Sequence, residues 1–157
     1  MKTVIDSSLC NEEHQYEIDV IVLYDDLAAG RWAGETISSV SDSQRDNICF
    51  RVKPWRLDFL NDPEWTTVAC AEAAQAQLLF VSLSRIGNIT HKVENWLRAW
   101  MRDKQGRDAA LVLMAEDTKE KSGSPIAMLK DLAINAGVNF FSVRPPRTGN
   151  SIRASQI

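Results

Sequence analysis

The sequence predicts a three-layer α/β fold, a doubly wound five-stranded parallel sheet in the order 2-1-3-4-5 with helices on both faces. Three observations predict it. Short apolar or alternating runs occur five times, over residues 18–24, 48–52, 78–83, 109–115 and 138–143. Helix-like segments separate every consecutive pair, and that alternation implies right-handed crossovers and parallel strands. The 157 residues fit one domain of this size and leave too little chain for two cores.

The elements follow in order. Residues 1–17 read as a polar tail, and residues 18–145 as the α/β domain. The first strand, Ile18 to Tyr24, is almost continuously apolar, as expected for a strand covered on both faces. It ends at Asp25-Asp26, either of which suits the N-cap of the helix over 27–41, because a carboxylate accepts unpaired first-turn N–H groups. Leu27, Gly34, Ile37 and Val40 are expected along its inner side. Gly30 and Gly34 each weaken this helix by roughly 1 kcal/mol relative to alanine, which calls for compensation such as close helix–sheet contact.

Ile48, Phe50 and Val52 alternate with Cys49 and Arg51, giving a short second strand near an edge that Pro54 is expected to stop. Residues 55–60 read as a loop or a single helical turn. Asp62-Pro63 supplies a cap and a first-turn proline for the helix over 63–77, with Trp65, Val68, Ala69, Ala73 and Ala76 inward. The third strand is Leu78 to Leu83. Thr90 is the expected N-cap of the helix over 91–104, whose Val93, Trp96, Leu97, Trp100 and Met101 share one face. Glu94 and Arg98 form an i,i+4 pair on the other side. The fourth strand covers 109–115, and a charged, flexible loop is expected over 116–124. Ser124-Pro125 opens a helix with Leu129, Leu132, Ala133 and Ala136 inward, ended by Gly137. After the fifth strand, 138–143, a covering helix is missing or very short, and 146–157 read as a polar C-terminal tail.

Composition narrows the function classes. Hydrophobic residues make up 45% and charged residues 25%, which excludes wholesale disorder. With 18 basic and 21 acidic residues the net charge is −3, so no nucleic-acid footprint is present. No apolar stretch is long enough to span a bilayer, and the acidic N-terminal segment does not read as a secretory signal. Cys10, Cys49 and Cys70 form no disulfide framework and no zinc spacing. They read as buried or half-buried free thiols in a reducing cytoplasm.

In sheets of this kind ligands bind beyond the carboxyl ends of the strands, at the switch between the first and third. The candidates there are Asp25, Asp26, Ser82, Ser84 and Arg85, with Arg144 after the fifth strand. Asp25 and Asp26 are also the candidate metal ligands. Each has a plainer reading: the acidic pair as a helix cap, the serines as strand-end residues, the arginines and His91 as solvated surface. Trp32 and Trp55 are open between a cleft lining, a partner surface and the core. No Gly-rich nucleotide loop, nucleophile elbow or phosphatase loop occurs.

The acidic pair Asp25-Asp26 and the Arg144-Pro145 dipeptide resemble the magnesium-binding pair and the Lys-Pro of response-regulator receiver domains. The resemblance implies that Ser82 stands where a receiver carries its phosphoacceptor aspartate, and that Met114-Ala115 stand near the switch hydroxyl. Serine forms no acyl phosphate, so the resemblance implies a degenerate receiver. A second stretch, SRIGNITHKVENWLRAW from Ser84 to Trp100, resembles the third-strand loop and helix of flavodoxins and small FMN-dependent reductases. Their first loop cradles phosphate, whereas here Asp25 and Asp26 would repel it by about 1 kcal/mol or more at ~4 Å.

The expectation is therefore a flavodoxin-like, bacterial and cytoplasmic domain, acting as a non-catalytic signalling or protein-interaction module with a degenerate receiver-like site. It carries no resident cofactor, with Mg2+ the ion the acidic pair would hold. A protein partner or a homodimer is expected, and neither nucleic acid nor membrane. The alternative is an FMN-dependent reductase.

Overall fold

In the computed structural model the described residues are 16–43, 48–116 and 125–145. The expected tails, with His14 and Cys10, fall outside them apart from Tyr16 and Glu17, and so does most of the charged loop before Pro125. The elements run β1 (Tyr16–Tyr24), α1 (Leu27–Ser43), β2 (Ile48–Arg56), a 3-10 turn (Leu57–Asn61), α2 (Pro63–Ala73), β3 (Leu78–Leu83), a second 3-10 turn (Ile86–Asn88), α3 (His91–Asp103), β4 (Ala110–Ala115), α4 (Pro125–Ala136) and β5 (Asn139–Val143). The sheet is five-stranded in the order β2-β1-β3-β4-β5, and every pairing is parallel. The predicted topology is observed.

Odd and even strand positions feed two different core layers. Ile21, Leu23, Leu79, Val81, Leu83, Leu111 and Leu113 meet α2, α3 and α4 in one continuous core. All five residues of the α3 apolar face are buried there, and Thr90 caps that helix through its Oγ1, which accepts from Val93 N at 3.2 Å. The Glu94–Arg98 pair forms at 2.9 Å. Lys104, beyond α3, buries its chain over the Trp100 ring and donates from Nζ to Ala74 O at 2.7 Å, closing the C-terminal end of α2.

The opposite face is thinner. Val20, Val22, Phe80 and Met114 pack with Ala33 and Ile37 of α1. The buried stripe of α1 is Ala29, Ala33 and Ile37. The expected inner stripe is therefore rotated: Leu27 and Val40 are exposed and only Ile37 of the four is buried. Tight approach decides the phase. A Cβ built on Gly30 would stand 3.2 Å from Tyr24 Cδ2, so glycine lets the ring lie against the helix. Gly34 meets nothing within 4 Å and has no such role.

Two further expectations are corrected. Pro54 does not end β2, which pairs with β1 as far as Arg56. As an edge strand β2 can direct the missing N–H away from its single neighbour. In α2 only Ala69 and Ala73 are buried, with Ala76 just beyond, while Trp65 and Val68 are exposed. Trp65 instead packs with Trp55 and Phe59, whose rings lie 5.6–6.1 Å apart. Cys70 is a free thiol but exposed. Cys49 is buried and disulfide-bonded, so the free-thiol reading fails there and the argument for a reducing compartment loses its support.

Among the described residues, nothing beyond α1 covers the thin face over β4 and β5. A groove of about 600 Å3 runs there, floored by Phe80, Val112, Met114, Phe141 and Val143. The expectation that a covering helix after β5 is missing or very short falls on residues 146–157, outside the described residues. Among the described residues, no helix is long and apolar enough to cross a membrane.

Candidate functional site

Parallel strands end together, so the loops after β1 and β3 meet above the sheet at the point where the order reverses. Tyr24 and Ser82 are register partners, which places Asp25 alongside Leu83 and within side-chain reach of Ser84. The Asp25 carboxylate fills that gap. Ser84 N donates to both of its oxygens at 2.9 Å, and Ser84 Oγ donates to Oδ2 at 2.9 Å. Arg85 N donates to the same oxygen at 3.1 Å and Asn88 Nδ2 at 2.9 Å. One side chain thus clasps the whole β3 loop to the end of β1. Burial pushes the Asp25 pKa up, but the hydrogen bonds from Ser84 N, Asn88, Arg85 N and Ser84 Oγ outweigh it and hold the carboxyl below the ordinary range.

Asp26 turns the other way. Its Oδ1 accepts from Ala29 N at 2.9 Å, capping α1. Ser82, fully buried, donates from Oγ to Ala29 O at 2.7 Å and so fixes the first turn of α1 over β3. The two aspartates divide the labour: Asp26 caps the helix and Asp25 holds the loop.

A pocket of about 220 Å3 lies beside the clasp, between the two 3-10 turns. It is lined by Asp25, Asp58, Asn61, Asn88 and Thr90 over Leu57 and Val93. Thr90 Oγ1 stands 3.2 Å from Asn61 Oδ1, and Lys92 Nζ donates to Asn61 O at 3.3 Å, tying the two walls together.

The structure therefore brings Asp25 and Ser84 together with the backbone of Arg85, and sets Ser82 and Asp26 beneath α1. The Arg85 side chain is exposed. Arg144 is elsewhere: β5 is three strand spacings from β1, about 14 Å, and Arg144 lines the apolar groove instead. Asn88, Asp58 and Asn61 belong to the site and were not singled out from sequence. The only signal for Asn88 is its place in a Gly-Asn turn four residues past Ser84; nothing local marks the other two. Trp55 is partly buried and donates from Nε1 to Glu72 Oε1 at 2.7 Å.

The donor set decides what such a rim can accept. An incoming phosphate needs free N–H groups at the start of α1 or in the β3 loop. Ala29 N is taken by Asp26, and Ser84 N and Arg85 N by Asp25. Two carboxylates already stand where the phosphate charge would go. At Asp25, Oδ2 is ringed by N–H and O–H donors whose positive ends point at it. Among the described residues no group of three or more His, Cys, Asp or Glu side chains could hold a metal ion.

No family model matches the chain, and no curated protein matches it either. Solved structures do. A short-chain flavodoxin associated with a non-canonical PDU bacterial microcompartment superposes with a TM-score of 0.52 at 12% identity, covering 82% of this chain and 84% of that one. At that identity the likeness concerns the fold, which is flavodoxin-like. A homoserine dehydrogenase from S. aureus aligns at a TM-score of 0.46 and 12% identity over 82% of this chain and 32% of its own.

Proposed function

We propose that this chain is a non-catalytic protein-interaction module on a flavodoxin-like scaffold, in which the strand-end site has become a structural clasp. One observation carries the reading. The Asp25 carboxylate accepts from four donor groups of the β3 loop, the same loop that would have to embrace a ligand. The receiver resemblance fits as a degenerate one. Ser82 stands where the phosphoacceptor would be, but its hydroxyl is buried and spent on Ala29 O. An FMN reductase is the less favoured reading, because the N–H groups of Ala29, Ser84 and Arg85, three that could hold a phosphate, already donate to Asp26 and Asp25. The surface left for a partner is apolar and lies on the sheet's thin face.

Three titrations of the purified protein test the proposal: FMN followed by flavin fluorescence, acetyl phosphate followed by intact mass, and Mg2+ followed by tryptophan emission. The module predicts no saturable signal in any of them. A stoichiometric yellow complex would establish the reductase. An acid-labile phosphate adduct would restore an active receiver. A Mg2+ response abolished by Asp25→Asn would make the acidic pair a metal site.

A further inference from the structure

The two edges of the sheet are built differently. The outer strand β2 carries Arg51, Lys53, Pro54 and Arg56, with Arg51 paired to Glu17 and Asp19. Charges and proline are the usual means by which an edge refuses another strand. The other edge, β5, reads Asn-Phe-Phe-Ser-Val. It has no charge, no proline and no glycine. Among the described strands it pairs only with β4.

The ladder sets which groups are left over. Asn139 N donates to Ala109 O at 3.1 Å, so Asn139, Phe141 and Val143 direct their backbone groups to β4. Successive residues of a strand point opposite ways. The N–H and C=O of Phe140 and Ser142 therefore point outward. Side chains alternate as well. Phe141 is 53% exposed and lies, with Val143, along the groove on the thin face, while Phe140 packs into the main core.

We propose that β5 is the self-association edge of this protein, joining a second copy of the chain by antiparallel pairing about a two-fold axis through Phe141. The register follows from the outward groups. Phe140 of one copy faces Ser142 of the other in a hydrogen-bonded pair, and the reverse pair forms across the axis, giving four N–H···O bonds. Phe141 faces its own counterpart in the closer, non-hydrogen-bonded arrangement, with about 4.5 Å between Cα atoms. Asn139 falls opposite Val143, and Arg144 opposite Val138. No like charges meet, and two half-exposed phenyl rings cover each other on the thin face. The strand is self-complementary in hydrogen bonding, polarity and charge, and this selects a second copy as occupant. The result is a continuous ten-stranded sheet whose two outer edges are both the charged β2.

Sedimentation velocity over a concentration series tests the pairing on the full chain. The wild type is expected to pass from monomer to dimer. Phe141→Lys and Phe141→Glu are each expected to abolish the dimer while circular dichroism stays unchanged. Mixing the two variants is expected to restore a one-to-one heterodimer, because the opposed side chains then attract. Ser142→Pro removes an outward N–H without touching the β4 ladder and is also expected to lose the dimer. Hydrogen exchange on the wild type, which needs no variant, should show Phe140 and Ser142 amides slowing as concentration rises. A wild type that stays monomeric throughout overturns the proposal. So does a dimer that survives Phe141→Lys, or a protein whose Phe140 and Ser142 amides ignore concentration.

Discussion

Replacing Asp25 by asparagine probes the clasp with almost no change of shape. Asparagine keeps one acceptor oxygen but turns an amide donor toward a group of donors. Ser84 N, Ser84 Oγ, Arg85 N and Asn88 Nδ2 now compete for one carbonyl. Hydrogen bonds to a charged acceptor contribute about 1.5–3 kcal/mol each, and because water can reach this half-buried rim and the bonds are not additive, the net loss is about 2–4 kcal/mol. For a domain near this length that is a fall in Tm of roughly 5–15 °C. Urea unfolding at neutral pH, followed by tryptophan emission, measures it. The pH dependence supplies a second reading. The folded Asp25 pKa lies below its unfolded value, so its contribution is fully present above about pH 4 and is lost as the pH falls through the folded value. The variant should therefore show a shallower acid limb, with the two stability curves converging at low pH. A loss under about 0.5 kcal/mol with an unchanged acid limb would refute the clasp, since surface substitutions fall within that range.

Further consequences follow from neighbouring contacts. Gly34→Ala should stabilise by up to about 1 kcal/mol in chemical denaturation, since the site is helical and open, whereas Gly30→Ala should gain less or lose because its methyl meets the Tyr24 ring. Ser82→Ala should cost about 1 kcal/mol, while Ser82→Asp should leave too little folded protein for a far-ultraviolet melting curve, since it buries a carboxylate where the hydroxyl served one carbonyl. Burial lowers the Lys104 pKa, with Asp103 opposing and Arg107 reinforcing the shift. The folded state therefore gives up this proton first, and stability from this group rises as the pH climbs from the lowered value toward the ordinary lysine range. Lys104→Met should remove that alkaline rise in a pH series of urea midpoints.

The sheet was legible because its signal is local and strong. Five apolar segments between helix-like stretches admit few topologies, and the caps at Asp62 and Thr90 rest on single side chains. Errors arose where neighbours distant in sequence decide the outcome. The α1 stripe turned because the Tyr24 ring needs Gly30, which periodicity cannot express. Pro54 stayed in a strand because an edge tolerates what a central strand would not. Trp65 and Val68 look inward on a helical wheel, yet α2 lies close to the sheet through alanines and leaves both outside. At the site, Asp25 and Ser84 could be named from their places after β1 and β3. The division between a loop-holding Asp25 and a capping Asp26 depends on loop conformation, and so does the entry of Asn88, Asp58 and Asn61.

The central claim is that the Asp25 carboxylate is already spent on the protein's own backbone. Nuclear magnetic resonance of that carboxyl carbon across an acid titration tests it most directly. The account predicts a midpoint below that of an ordinary aspartate, with the Ser84 and Arg85 amide protons moving in step with it. An ordinary midpoint, with both amides indifferent to it, would contradict the account.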